Sequence, residues 1–176
     1  MHMFLPSERL GNLLGALALS VTDRVQEALG AEIRSRGLSS AAALIHLRLR
    51  PGQTIDSLAR VVGISHPAAV RLVDRLEGER VVERRPGSDR RSRAVFLTPE
   101  GEDAAVRVLG RRLAELEAII QPLSVRDRRQ LERLIAKLLT GLTEDRATAR
   151  HICRLCDFPL CASPSCPVDQ AAARSS

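Results

Sequence analysis

Aromatic side chains are nearly missing from this chain of 176 residues: it has no Trp, no Tyr, and only Phe4, Phe96 and Phe158. A core must therefore be built from Leu, Val, Ile and Ala, which suits packed helices better than a β-sandwich. Lysine is scarce as well. Lys137 stands alone, so the excess of 27 basic over 21 acidic residues is carried by arginine. That balance favours polyanionic partners, although its meaning depends on where the charge sits. No stretch of about 18 apolar residues occurs, which argues against a membrane-spanning helix and against a membrane partner. Met1–Pro6 lacks a basic region followed by an apolar run and a small-residue cleavage site, so a cytoplasmic protein is expected. No nucleophile, base and orienting acid stand together and no phosphate loop is present, so no enzymatic activity is expected.

What is there is helical periodicity. Leu10, Leu13, Leu14, Leu17, Val21 and Val25 recur at the 3.6-residue period of an amphipathic helix from Ser7 to about Leu29. Ser39 opens a second helix through Leu44 and Leu47, stopped by Pro51-Gly52. Thr54 caps a short helix through Ile55, Leu58, Ala59 and Val62, which Gly63 ends. Ser65 caps the next, with Pro67 in its first turn and Val70, Val73 and Leu76 on its buried face. Two helices separated by Gly-Ile-Ser form a helix-turn-helix. Val81-Val82 and Ala94–Leu97 then read as two strands around a turn at Pro86-Gly87-Ser88-Asp89. Thr98-Pro99-Glu100 opens a long helix striped by Val106, Leu109, Leu113, Leu116 and Ile120, which Pro122 ends. Ser124 caps another through Leu131, Leu134, Ile135, Leu138, Leu139 and Leu142. Beyond about Thr148 the chain reads as a small cysteine knuckle and a frayed tail. His46 is expected as an ordinary side chain within its helix, and His151 at the end of the last long helix.

Pro51-Gly52, Leu58-Ala59, Gly63-Ile64-Ser65-His66-Pro67, Arg71-Leu72-Val73-Asp74-Arg75-Leu76-Glu77, Asp89-Arg90-Arg91 and Leu97-Thr98-Pro99-Glu100-Gly101 occur in that order. Together they resemble the MarR family of bacterial regulators. The fold class implied is mainly α, a winged helix-turn-helix with a two-stranded wing and long N- and C-terminal dimerisation helices. Residues 1–38 would form the N-terminal dimerisation region, 39–98 the DNA-binding domain and 99–147 the C-terminal dimerisation helices, with 148–176 as a Cys-rich tail. The resemblance also implies a homodimer, a pseudo-palindromic double-stranded DNA operator, a repressor's role and a small-molecule effector. Arg80 departs from the pattern, because the family usually has a glycine before the wing. The turn there is expected to use Gly78 instead.

The helix begun by Ser65 is expected in the major groove, with its N-terminal residues at base edges. His66 and Arg71 are the candidate base readers, since Arg grips guanine O6 and N7 as a bidentate pair. Pro67 and Ala68 allow close approach, and Arg75 and Ser65 suit phosphate. In the wing, Arg91 corresponds to the family's minor-groove arginine, drawn by the negative potential of a narrow groove. Asp89 would orient a wing arginine. Arg84, Arg85, Arg90 and Arg93 would add phosphate contacts. An arginine-rich hairpin by itself is as readily a solvated surface; the helix-turn-helix directly before it favours DNA.

Cys153, Cys156, Cys161 and Cys166 give C-x2-C-x4-C-x4-C. In a reducing compartment such clustering points to metal or redox chemistry over a disulfide framework. The spacing equals that of zinc knuckles with Cys in place of their His, but Phe158-Pro159 and Ser163-Pro164 stand where such knuckles have glycines. Cys166-Pro167 also resembles iron–sulfur ligation. A four-cysteine zinc site, placed slightly ahead, an iron–sulfur cluster and free redox-active thiols remain as readings. Zinc would act as a clip holding the tail near the dimer helices; a cluster or free thiols would act as a sensor. A different class of function is a metal- or redox-sensing adaptor whose winged domain binds mainly protein partners.

Overall fold

A computed structural model describes residues 6–30, 37–87, 93–161 and 166–174. In chain order its elements are α1 (Pro6–Gly30), α2 (Leu38–Leu49), α3 (Ile55–Val62), α4 (His66–Gly78), β1 (Val82–Pro86) and β2 (Arg93–Leu97). They continue as α5 (Pro99–Ile120), α6 (Val125–Leu142), α7 (Arg146–Ile152), α8 (Phe158–Cys161) and α9 (Pro167–Arg174). The architecture is mainly helical with one two-stranded antiparallel sheet, as the periodicity predicts.

Helix starts obey local chemistry. The side chains of Thr54, Ser65, Thr98 and Ser124 each accept a hydrogen bond from a backbone N–H in the first turn of α3, α4, α5 and α6 respectively. Each cap satisfies a donor that has no partner inside the helix and stabilises it by about 1 kcal/mol. Gly63 closes α3 with φ 78°, a left-handed conformation that glycine takes without steric cost.

The core is centred on α2, whose residues from Ser40 to Leu47 are all buried. Ala41, Ala42 and Ala43 are fully covered, and α2 packs on α5 and β2. Ala104, Ala105, Val108 and Leu109 of α5 join the same core, as do Leu58, Val62, Leu72, Val73 and Leu76 of the helix-turn-helix. Val82 and Val95 bring the wing into it, and Val25 and Leu29 bring the end of α1. Each covered Leu side chain contributes about 2 kcal/mol. The strands pair Val82 with Leu97 through Pro86 with Arg93. Gln53, just before α3, bridges to Val95 and so ties the wing to the helix-turn-helix.

The turn into the wing differs from expectation. Gly78 stays helical, and Arg80 takes the left-handed conformation at φ 61°. Its N–H donates to the Glu77 carbonyl, and its own carbonyl accepts the Thr98 hydroxyl at 2.7 Å. These bonds hold a non-glycine residue where it costs about 1 kcal/mol. The end of the chain also differs: it forms helices rather than a frayed tail. Val168 and Ala172 of α9 pack with Ala149 of α7, Leu139 of α6, Ile152, Cys153 and Cys166 in a second small core. The prolines and short helices hid this, because each segment is too brief to show a period.

Gly101 has a tighter requirement. A Cβ there would lie 1.9 Å from the Val81 carbonyl oxygen, a backbone atom that cannot swing aside. Gly101→Ala is expected to lower unfolding free energy by about 3 kcal/mol in chemical denaturation. Gly110→Ala, in α5 with nothing within 4 Å of the new methyl, is expected to raise it by about 0.5–1 kcal/mol. Relieving Arg80 by Arg80→Gly is expected to leave stability unchanged or raise it by up to about 1 kcal/mol, read in the same titration.

Candidate functional site

The outward face of α4 follows from its burial pattern. Ala69, Leu72, Val73 and Leu76 point inward, while Ser65, His66, Pro67, Arg71, Asp74 and Arg75 are exposed and Ala68 is half-buried. The helix therefore shows one polar face with two arginines four residues apart. Its N-terminal end is open to solvent, where the helix dipole favours an anion. His66 lies beside α3: its Nδ1 is 2.6 Å from Oδ1 of Asp56. That contact occupies Nδ1 and leaves Nε2 as the ring nitrogen available to another partner.

Arg84 behaves differently from the sequence reading. Its guanidinium pairs with Glu77 and, at 2.5 Å, with Asp74 of α4, and its side chain is only 15% exposed. Its backbone N–H also donates to Glu77 at 3.2 Å. The two carboxylates outweigh partial burial and raise its already high pKa. Arg84 therefore fastens the wing to α4 rather than facing phosphate. The signal lay in Asp74 and Glu77, three residues apart on the helix, whose partner only the hairpin could bring. Arg85 pairs with Glu83 and sits over the Phe96 ring, 4.9 Å from its centroid. Arg93 is exposed at the start of β2. Asp89, Arg90 and Arg91 lie outside the described residues.

The second site is built by the last three helices. All four cysteines are free thiols, and they line one cavity of about 470 Å³ together with Ile45, His46 and Arg50 of the α2 region and Arg146, Arg150 and Arg154 of the α7 region. The four thiols stand close enough across this cavity to perturb one another's ionisation. Among the described residues, no three His, Cys, Asp or Glu side chains are gathered closely enough to hold one ion. The Cys156 thiol is held down to about 6 by the Cys153 hydrogen bond, aided by the Arg112 charge of α5. Cys153 is pushed up in return by the proton it shares with Cys156 and by burial. Burial and the Cys156 charge push Cys161 up.

Two histidines gain meaning here. His46 is only 8% exposed, and its Nε2 is a buried nitrogen with no hydrogen-bond partner. Burial and the nearby Arg50 charge hold its pKa below the usual histidine value. Sequence alone made it an ordinary helical residue, since nothing local shows that α2 is covered on all sides. His151 lies within the separate helix α7 rather than at the end of α6. Its Nδ1 is 3.0 Å from the Val61 carbonyl of α3, and a Cβ on Gly63 would lie 2.4 Å from its Cε1. The carbonyl can only accept, so Nδ1 carries the proton. Through this contact the cysteine-bearing end of the chain touches the turn between α3 and α4.

Among the described residues no helix is long and apolar enough to cross a membrane. A family model described as MarR family matches residues 36–92. A MarR family protein from Bacillus stearothermophilus is similar at a TM-score of 0.67 and 24% identity, over 78% of this chain and 95% of that one. Escherichia coli MarR in its apo form aligns at 0.63 and 23%, over 77% of this chain and 98% of that one. MepR, a transcription regulator of the Staphylococcus aureus multidrug efflux pump MepA, aligns at 0.65 and 17%, over 79% of this chain and 99% of that one. Residues 36–92 thus match the MarR family model, within a chain whose fold is that of the MarR regulators of known structure.

Proposed function

We propose that the protein is a sequence-specific, double-stranded-DNA-binding transcriptional repressor that acts as a homodimer. The observation that carries this is the exposed polar face of α4, with Ser65, His66, Arg71 and Arg75 outward and its opposite face locked into the core. The wing beside it is braced by the Arg84 pairs with Asp74 and Glu77. In this reading α4 enters the major groove. His66 and Arg71 meet base edges, while Arg75 and Ser65 meet phosphate. Arg90, Arg91 and Arg93 serve the flanking backbone and minor groove, with Asp89 orienting one of them.

The homodimer rests on a second observation. α1 leaves Leu10, Leu13, Leu14 and Leu17 at least half exposed. α6 has no buried residue, and its Leu134, Ile135, Leu138 and Leu142 are exposed. Apolar stripes of this extent on two helices call for a partner surface. A second copy, pairing α1 and α6 about a two-fold axis, supplies one that is self-complementary. The operator then has half-sites about 10 bp apart. The cysteines are proposed to hold a thiolate-bound metal centre, with zinc placed ahead of an iron–sulfur cluster. Metal analysis and an absorption spectrum of protein purified without air separate the two.

The function is tested with a duplex selected by the protein from a random-sequence library. Binding is expected to fall steeply with salt, with a log–log slope set by the number of phosphates met. Arg71→Ala and Arg91→Ala are each expected to weaken binding about 10–100-fold, and Arg71→Ala also to relax preference at one base position. A flat salt slope, or no selected sequence, would refute the DNA-reading role. Leu138→Glu is expected to give a monomer by sedimentation at micromolar concentration. If this variant stays dimeric, the α1/α6 pairing is wrong.

A further inference from the structure

His66 and Asp56 meet across the helix-turn-helix, each carried at the start of its own helix. Asp56 lies in the first turn of α3, two positions after Thr54, whose side chain caps that helix by accepting the Ser57 N–H. His66 is the first residue of α4, directly after its cap Ser65. The left-handed Gly63 turns the chain between them, and the N–H groups of Gly63 and Ile64 both donate to the Ala59 carbonyl. The two helix starts thus come side by side, with Nδ1 of His66 2.6 Å from Oδ1 of Asp56. Both side chains line an open cleft of about 550 Å³ together with Thr54, Ala59, Arg60 and Ile64.

That contact decides more than where the ring points. An ionised carboxylate only accepts hydrogen bonds, so the bond to Asp56 requires the proton of His66 on Nδ1. In the neutral ring Nε2 is then left with its lone pair and accepts. The major groove offers such an atom few donors. They are the exocyclic amino groups, N6 of adenine and N4 of cytosine; guanine and thymine offer no donor there. A ring with its proton on Nε2 would have the opposite preference. Charge bears on the same point. The Asp56 side chain is 73% exposed, beside a helix end read as meeting DNA, where a carboxylate repels phosphate. A carboxylate so placed lowers affinity for any duplex, so its contribution is to selectivity.

We propose that Asp56 is a positioning residue for base recognition: it fixes the proton of His66 on Nδ1, so that Nε2 reads an exocyclic amino group of adenine or cytosine. This deepens the DNA-reading function given above and rests on it. His66 makes the contact, and Asp56 acts only through His66. Thr54, not Asp56, caps α3, so a change at Asp56 leaves the helix start satisfied.

The test uses the full chain and reads two things: the nitrogen NMR spectrum of the histidine rings, and affinity for the selected duplex. Both are taken at about pH 8, above the ordinary range for an imidazole. The His66 resonances are those lost in His66→Ala. The expected spectrum of the free protein has Nδ1 protonated and Nε2 unprotonated. His66→Ala is expected to erase preference at one base pair of the selected duplex. Replacing adenine or cytosine of that pair by purine or 2-pyrimidinone, which lack the amino group, is expected to weaken wild-type binding about tenfold and His66→Ala binding not at all. A 7-deazapurine in the same pair, which removes the N7 acceptor, is expected to have no effect. Asp56→Asn offers Nδ1 either a donor or an acceptor. It is expected to mix the two ring forms, to cut the tenfold effect to about twofold, and to raise affinity for unselected duplex about threefold. Asp56→Glu keeps a carboxylate and is expected to restore Nδ1 protonation and part of the preference. A ring protonated on Nε2, sensitivity to 7-deazapurine in place of amino loss, or a full preference kept by Asp56→Asn would each overturn the proposal. If His66→Ala alters no position while Arg71→Ala does, the DNA-reading function stands and this proposal falls. If no sequence is selected, that function falls and the proposal with it.

Discussion

One close backbone approach organises this molecule. Thr98 sits where the wing ends and α5 begins. Its N–H donates to the Val81 carbonyl at 3.2 Å, its hydroxyl donates to the Arg80 carbonyl at 2.7 Å, and the same oxygen accepts the Gly101 N–H at 3.1 Å. One residue thus caps a helix and ties the two strands together at the base of the hairpin. The contact is possible only because Gly101 has no side chain where α5 meets Val81. It fixes the wing against the long helix, and through Arg80 it fixes the exit of α4 as well. The left-handed Arg80 belongs to the same junction, where the tertiary bonds outweigh a modest backbone cost.

From that junction outward, charge is arranged by purpose. Arg84 is held by two carboxylates of α4 and is nearly covered, so it acts as a brace. Arg71, Arg75 and Arg93 remain exposed beside it. The distinction matters because a braced and an exposed arginine look alike in composition. Removing the brace would disturb the angle between wing and α4, whereas removing an exposed arginine would leave that angle in place. A net charge of +6 says nothing about this division, which depends on which arginines have partners inside the protein.

The C-terminal module adds a second arrangement of the same kind. Its helices are short, and among the described residues its small core is built on Ala149, Val168 and Ala172. A core of that size gives little stability of its own. It is held by its neighbours: α9 on α6, α7 on α3, and His151 on the turn of the helix-turn-helix. A unit so weakly self-stabilised keeps its place mainly through these neighbours, and a few kcal/mol is a large share of what holds it there.

The helix starts of the helix-turn-helix and the two strands of the wing were legible because their signals are local. Thr54, Ser65, Thr98 and Ser124 cap helices by bonding atoms two or three positions away, and Gly63 turns left-handed for want of a Cβ. The apolar stripes of α1 and α6 likewise followed from spacing alone, and their solvent exposure is the structural counterpart. What the tertiary structure decided was every feature that joins distant segments. Arg84 needed Asp74 and Glu77 on another element, and His46 became a buried orphan only once α5, β2 and the C-terminal module covered α2. His151 found Val61 across about half the chain. The cysteine spacing marked four ligand-type residues but not the cavity they share or the α2 wall against which they are set. Local hydrogen bonds and periodicity are properties of a few consecutive residues, whereas burial, and the pairing of charges it enforces, exists only once the whole chain has packed.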